Sequence, residues 1–253
     1  MNQMDLAWKA EEVALNVRPS PIEIHYEGWL IRASGGPVRR TNSICPTRHR
    51  SKDFVPILDA AEAIFRSLQR PSIVKVISIA DEADDLLERR GYAKEGESKV
   101  LFSESNPASS ESTSVEVSAG GPDRTWIDAW SKIGKHSSRD SVAAFSRSME
   151  VIVLPKAFAA YRLAGQIVAI AYGIIHRDVL GVDAVATMPE HRGYGYARQV
   201  VSSLQDWARH QGVQSACLSV LADNAAALAL YRRCGFNRHL YSYHYRASAF
   251  AKA

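Results

Sequence analysis

The chain has 253 residues, 46% of them apolar and 23% charged, with a formal net charge of +4 and three cysteines. That length suits one large domain or two small ones around a substantial core, and the composition excludes a dominantly disordered or collagen-like state. No apolar run is long enough to span a membrane, the N-terminus lacks a basic segment followed by an apolar block, and Cys45, Cys217 and Cys234 show neither CxxC nor Cys/His ligand spacing; the expectation is a cytoplasmic protein with no membrane span, no disulfide framework and no metal.

Taken in chain order, Leu6, Ala10, Val13 and Val17 recur at helical spacing and predict a first helix. Residues 22–33 predict a strand, Gly35-Gly36-Pro37 a turn, and residues 38–45 a second strand. A helix over 54–69, with Ile57, Ala60, Ala61, Ile64 and Leu68 inward, precedes a buried strand at 72–79. A short helix at 82–90 ends at Gly91, a natural left-handed cap, and 95–103 is a further strand. Residues 107–124 are rich in Ser, Pro and Gly with little apolar periodicity, and read as a linker. Beyond it, helices are predicted at 125–133 and 138–150 and strands at 157–163, 166–175 and 179–187, the first two joined by Ala164-Gly165. A Gly-containing loop opens a helix to about 211, with Val200, Val201, Leu204, Trp207 and Ala208 on its buried stripe. Strand 215–222, helix 224–234 and strand 236–247 complete the chain.

The two blocks repeat each other. At an offset of 144 residues, LYRRCGF (230–236) lies on LLERRGY (86–92), ACLSVLA (216–222) lies on SIVKVIS (72–78), and Val201, Leu204 and Ala208 lie on Ile57, Ala60 and Ile64. Three matches at one offset point to a tandem duplication, with an α/β or α+β sheet in each block: residues 1–106, a linker at 107–124, and residues 125–253. Charge is uneven. The first 106 residues hold 15 basic and 16 acidic side chains; residues 107–253 hold 16 and 11. A mildly basic second half suits an anionic ligand and is too weak a signal for nucleic acid. The run Arg39, Arg40, Arg48, His49, Arg50 and Lys52 lacks interleaved aromatics, so a solvated loop or an inter-domain contact is expected rather than a nucleic-acid patch.

The segment His191-Arg192-Gly193-Tyr194-Gly195-Tyr196-Ala197 carries chemistry. Small residues between a strand and a helix let the backbone turn tightly and present successive N–H groups, and the helix N-terminus adds partial positive charge. Together these suit a pyrophosphate, with Arg192 and Arg198 adding mobile charge. The GxGxxG dinucleotide fingerprint fails, because its third small position is Arg198. No Gly-Lys-Ser/Thr follows for a Walker loop. A second segment runs from Asn224, a good N-cap, through Tyr231 two helical turns later to Gly235-Phe236.

On these residues the sequence resembles the GNAT superfamily of acyl-CoA-dependent N-acyltransferases. Arg192 to Ala197 match its Arg/Gln-x-x-Gly-x-Gly/Ala loop, and Asn224 to Phe236 its Asn-x-x-Ala-x-x-Leu-Tyr-x-x-x-Gly-Phe segment. The clear resemblance covers about 157–247. The whole chain also resembles a tandem subgroup through Gly28-Trp29-Leu30-Ile31-Arg32 and Arg39-Arg40-Thr41-Asn42-Ser43. The resemblance implies two GNAT-like units, each a mixed, mostly antiparallel sheet flanked by helices. It implies acetyl transfer from acetyl-CoA to a primary amine by direct attack in a ternary complex, with no membrane or nucleic-acid partner and a monomeric or homodimeric state. Backbone N–H groups from Gly193, Tyr194, Gly195, Tyr196 and Ala197 would hold the pyrophosphate. The strand at Val185, Ala186 and Thr187 would pair with the pantetheine arm and polarise the carbonyl. Asn224 would contact the cofactor, and Tyr231 would protonate the leaving thiolate.

Asp183 alternates with Val185 and Thr187, so the three would share one strand face. The family often carries an acid there that takes a proton through water; a solvated strand-end carboxylate is the alternative. His176 and His191 are weaker bases. In the first half, the positions of Gly195 and Ala197 become Ser51 and Asp53, and those of Asn224 and Tyr231 become Ala80 and Leu87, so that half is expected to keep the fold without acyl-CoA binding. The alternative function is a non-catalytic acyl-CoA-binding sensor or scaffold.

Overall fold

The computed structural model describes residues 2–105, 114–134 and 138–249. Helix α1 (Gln3–Val17) starts at Asn2, whose side chain accepts from the Asp5 N–H at 2.8 Å. Its predicted stripe of Leu6, Ala10, Val13 and Val17 is buried. The single strand expected at 22–33 is instead a hairpin, β1 (Glu23–Tyr26) and β2 (Trp29–Arg32). Glu27 and Gly28 take φ of 46° and 79°, so two consecutive left-handed residues reverse the chain. A Cβ on Gly28 would lie 2.5 Å from Arg50 Cα, so glycine is required for space as well as for conformation.

The second strand expected at 38–45 resolves into a 3-10 turn at Arg39–Thr41 followed by β3 (Ile44–Pro46). Next come α2 (Val55–Ser67), β4 (Ile73–Ile77), α3 (Asp84–Arg89) and β5 (Ala93–Ser103). The linker expectation fails in part. Residues 107–113 lie outside the described residues, but Val115–Ala119 form strand β6. Val115 and Val117 alternate with polar neighbours and pack against the core, a short period-2 signal hidden in a polar stretch. Helices α4 (Arg124–Ile133) and α5 (Arg139–Glu150), strands β7 (Lys156–Leu163), β8 (Gln166–His176) and β9 (Val179–Thr187), α6 (Tyr196–His210), β10 (Ser215–Leu221), α7 (Ala225–Arg233) and β11 (Arg238–Ala247) follow as the periodicity predicts.

Among the described residues, eleven strands form one sheet, in the order β1-β2-β3-β4-β11-β5-β10-β9-β8-β7-β6. Of the pairings among them only β3–β4 and β9–β10 are parallel, so the fold is mixed α/β with a mostly antiparallel sheet, as expected. The 144-residue offset is visible in the topology: β2-β3-β4-β11 read from one end corresponds to β8-β9-β10-β5 read from the other. The last strand of each half is exchanged. Strand β5 lies between β10 and β11, and β11 lies between β4 and β5. Helix α1 also crosses over, packing on β8, β9, β10 and β11.

One core cluster therefore draws on both halves, joining Leu6 and Val13 to Ile77, Val100, Cys217 and Tyr241. At its edge the buried Lys75 ammonium sits 2.6 Å from both Glu11 oxygens, and the Tyr241 hydroxyl donates to the same carboxylate. Removing either charge would leave its partner uncompensated in low dielectric. All three cysteines are buried free thiols, and burial pushes Cys217 up to about 12 and Cys234 up to about 11, as apolar fillers rather than nucleophiles. Among the described residues no helix is long and apolar enough to cross a membrane.

Because β5 and β4 are not hydrogen-bonded to each other, a fragment of residues 1–106 leaves β5 without either of its neighbours. We expect that fragment to show no cooperative thermal transition by circular dichroism, and the full chain to unfold in one step. Two separate transitions in the full chain would contradict this.

Candidate active site

The parallel pairing of β9 with β10 stops early. It joins Val179–Val182 to Ser215–Leu218, after which β9 continues to Thr187 paired only with β8, and β10 to Leu221 paired only with β5. A bulge on the other side of β9 accompanies the separation. Ala169 and Ile170 of β8 face Thr187 and Ala186, and Tyr172 faces Asp183, so Ala184 and Val185 oppose Ala171 alone. Ala184 takes φ of 51°. Such a bulge bends the strand and re-aims its backbone groups. The outcome is an opening in the β9–β10 ladder, with Val185, Ala186 and Thr187 on its β9 side.

The loop after β9 sits at the mouth of this opening. A 3-10 turn at Pro189–His191 leads through Arg192 to Gly195, the N-cap of α6. Gly193 and Gly195 take φ of 85° and 82°, and a Cβ on either would meet nothing within 4 Å. The glycines are thus required by backbone conformation, and the space before them is open. Gly195 provides no side-chain cap, so the first-turn N–H groups of α6 face outward as unsatisfied donors at the positive end of the helix. Arg192, Tyr194 and Arg198 are exposed, while Tyr196 and Ala197 are half-buried. Tyr196 stacks between Tyr161 at 4.3 Å and Tyr194 at 5.9 Å, which fixes the start of the helix. Buried Val200, Val201, Leu204 and Ala208 anchor the rest.

On the far wall, Asn224 caps α7, its side chain accepting from the Ala227 N–H at 3.0 Å. Two turns on, Tyr231 is only 8% exposed and packs among Val182, Leu218 and Val220. Burial, reinforced by the nearby Asp183 charge, raises its pKa, so the phenol is fully protonated at neutral pH.

Asp183 is not a solvated strand-end carboxylate: it is buried. The bulge breaks the alternation: Val182 and Val185 pack into one core, whereas Ala184 and Ala186 join the other. Asp183 turns toward Tyr172, in the core with Ala184 and Ala186, and is 8% exposed. Arg18 reaches its Oδ2 from Nε at 3.1 Å and from Nη2 at 3.0 Å, and the Tyr172 hydroxyl donates to the same oxygen at 3.2 Å. Arg40 Nη2 and the Ala184 N–H reach Oδ1 at 3.0 and 2.7 Å. Burial opposes ionisation, but the two guanidiniums and these donors outweigh it and hold the carboxyl well below the usual carboxylate range. Such a group has little proton affinity at neutral pH and is a poor general base.

Arg40 lies in the basic run for which a solvated loop or an inter-domain contact was expected, and it makes such a contact. It comes from the first half, yet it pairs with a carboxylate of the second. The Gly28–Arg32 and Arg39–Ser43 segments build the support for it. Arg32, 2% exposed, donates from Nη1 to the Arg40 carbonyl at 2.9 Å and from Nη2 to the Leu15 carbonyl at 2.8 Å. Asn42 Nδ2 donates to the Gly35 and Val38 carbonyls at 2.8 and 2.9 Å, while its Oδ1 accepts from Arg70. Elsewhere in the basic run, Arg48 pairs with Asp5 and Arg50 with Glu82. A cavity of about 250 Å³ lies beside this loop, lined by Arg39, Arg40, Ser219, Leu221, Tyr243 and Tyr245 among others.

Comparison with known proteins agrees with this architecture. Residues 8–246 match the family described as "Probable histone acetyltransferase Rv0428c C-terminal". The chain is 25% identical over 251 residues to the uncharacterized N-acetyltransferase YobR of Bacillus subtilis (strain 168), covering 96% of this chain and 99% of the relative. Among solved structures, a GCN5-related N-acetyltransferase from Kribbella flavida superposes with a TM-score of 0.68 at 16% identity, covering 97% of this chain and 95% of that one. A tandem GNAT protein from the clavulanic acid biosynthesis pathway gives a TM-score of 0.61 at 12% identity, covering 96% and 88%. The loop, the opened sheet and a family match spanning nearly the whole chain place it in the GNAT superfamily of acetyltransferases, within the Rv0428c C-terminal family.

Proposed function

We propose that the protein transfers an acetyl group from acetyl-CoA to a primary amine within a ternary complex. The observation that carries this reading is the juxtaposition of the open glycine loop at the N-terminus of α6, the bulged end of β9 where it no longer pairs with β10, and the buried phenol of Tyr231. Arg192 and Arg198, with the N–H groups of Gly193 to Ala197, would bind the pyrophosphate, the helix terminus supplying fixed positive potential. The Val185–Thr187 edge would pair with the pantetheine arm, and one of its N–H groups would stabilise the carbonyl oxygen as charge develops there. Asn224 would contact the cofactor at the start of α7.

In the chemical step, the neutral amine nitrogen attacks the thioester carbonyl carbon. The C–S bond breaks, the thiolate takes the Tyr231 proton, and the amide nitrogen gives up its proton to water. Asp183 takes no proton in this scheme. It holds Arg18 and Arg40, and so fixes the first half against the reacting strand. The exchanged half would hold no second acyl-CoA. Asp53 lies just before α2, where a negative charge favours the helix and repels phosphate.

Calorimetric titration with acetyl-CoA should give one site per chain, and Gly195→Asp should abolish it, through strain at a positive φ and a carboxylate facing the phosphates. Retained affinity in that variant would remove the loop from the cofactor site. Tyr231→Phe should lower kcat about 100-fold while acetyl-CoA affinity changes by less than about threefold; an unchanged kcat would exclude the acid role, and acetyl-CoA binding with no thiol release from the wild type toward any amine would favour a sensor. Asp183→Asn leaves two guanidiniums without a shared counter-charge and should destabilise the fold by about 3 kcal/mol at pH 7. Since the folded-state pKa of Asp183 is depressed, its contribution is full above the ordinary carboxylate range and is lost as pH falls through and below about 4. The stability difference between wild type and Asp183→Asn, read from urea midpoints, should therefore shrink between pH 5 and 3 (about one unit either side of that value).

A further inference from the structure

The cavity beside the Arg39–Arg40 turn has a composition that defines an acceptor class. We propose that the acceptor is a small primary amine that also carries a carboxylate, and that Arg39 and Arg40 are its specificity determinants; this deepens the acetyltransferase reading and rests on it. The cavity begins where the sheet opens. Ser219, Val220 and Leu221 line it, and these are the residues of β10 beyond Leu218, the last of the strand to pair with β9. Val220, which lines the cavity, belongs with Tyr231 to one buried apolar cluster, so the cavity adjoins the Tyr231 end of the site.

Its lining holds two formal charges, both positive, and no carboxylate. The carboxylates around it are already engaged. Asp183 is shared between Arg18 and Arg40, and Glu95 pairs with Arg39. The side chains of Arg39 and Arg40 are 38% and 30% exposed, and each guanidinium meets its carboxylate through a single nitrogen, Arg39 Nη1 on Glu95 and Arg40 Nη2 on Asp183. A guanidinium presents five N–H donors in a planar fork suited to a carboxylate, so donors remain for a ligand. Both are also held in place. Arg40 is fixed at its carbonyl by Arg32 and at its side chain by Asp183, and the Arg39 guanidinium lies over the Tyr245 ring at 5.4 Å. Preorganised donors of this kind cost little ordering entropy on binding.

The volume and the charge favour a small acceptor. About 250 Å³ beside the turn suits an amino-acid-sized molecule. Polyamines and Lys-rich tails would bring cations against two arginines.

The test uses the full-length protein with saturating acetyl-CoA. Thiol release is followed with amino acids and ω-amino carboxylates, each against its own amide or decarboxylated amine, and with putrescine and spermidine. A carboxylated acceptor should exceed its neutral counterpart at least tenfold in kcat/KM. Arg39→Gln should reduce that preference at least fivefold, mainly through KM, with the acetyl-CoA Kd unchanged. Arg40→Lys keeps a charge on Asp183 but loses the planar fork, and should also erode the preference. Equal or better turnover of amides or polyamines, or a preference that survives Arg39→Gln, would overturn the proposal. So would a panel in which no carboxylated amine is turned over or binds the CoA-loaded protein by calorimetry. Failure of acetyl-CoA itself to bind would instead overturn the acetyltransferase reading.

Discussion

Strands β5 and β11 are hydrogen-bonded to each other at the centre of the sheet, from Arg238 opposite Phe102 to Ala247 opposite Ala93. Each is flanked on its other side by a strand of the opposite half. Backbone donors and acceptors in a central strand have no access to water and must be paired, so neither half can shed the exchanged strand without exposing a ladder. This makes the geometry between the halves a property of the sheet rather than of a surface contact. Everything at the opening between β9 and β10 is aligned by it, including residues nearly 150 positions apart in sequence.

The charged side chains reinforce the same join. Glu11 and Lys75 tie α1 to β4, with the Tyr241 hydroxyl of β11 on the same carboxylate. Asp183 gathers Arg18 from the end of α1 and Arg40 from the front-half turn. Buried ion pairs of this kind contribute little net stability, because desolvation offsets their attraction, but they are intolerant of losing one partner. Their effect here is positional. The Arg39–Arg40 turn is held at the open end of β10 by contacts that cross the join, and the wall of the cavity is thereby supplied by a half that has no glycine loop of its own.

The site combines two kinds of electrostatics on opposite walls. At the α6 end, positive potential comes from backbone donors and a helix terminus, with exposed arginines added. At the Tyr231 end, apolar burial keeps a phenol protonated. The loop conformation is enforced by left-handed glycines, and the strand conformation by a bulge at Ala184. Both are local backbone irregularities set within otherwise regular elements, which is where a sheet can present polar groups without a pairing strand.

Much of this was legible in the sequence. Helical and strand periodicity located nearly every element, because burial of one face writes a period of 3.6 or 2 into the residues. The repeat at 144 residues anticipated the matched strand orders. The glycine loop and the Asn224–Phe236 segment were readable because their chemistry is local: positive φ, a cap, and two turns of one helix. The Glu27-Gly28 reversal and strand β6 were missed, the first inside an apolar run and the second inside a polar one. What the sequence could not disclose was which strand pairs with which across the halves, since the exchanged and unexchanged arrangements bury the same faces and satisfy the same hydrogen bonds. Nor could it disclose the setting of Asp183. Alternation assigns a side chain to a face only while the strand stays regular, and the bulge at Ala184, together with arginines brought from Arg18 and Arg40, turned a presumed base into a buried anchor. Local conformation was determined by the chain itself, whereas the partners of each charge were decided by tertiary structure, because electrostatic environment depends on distances in space that no spacing in sequence encodes.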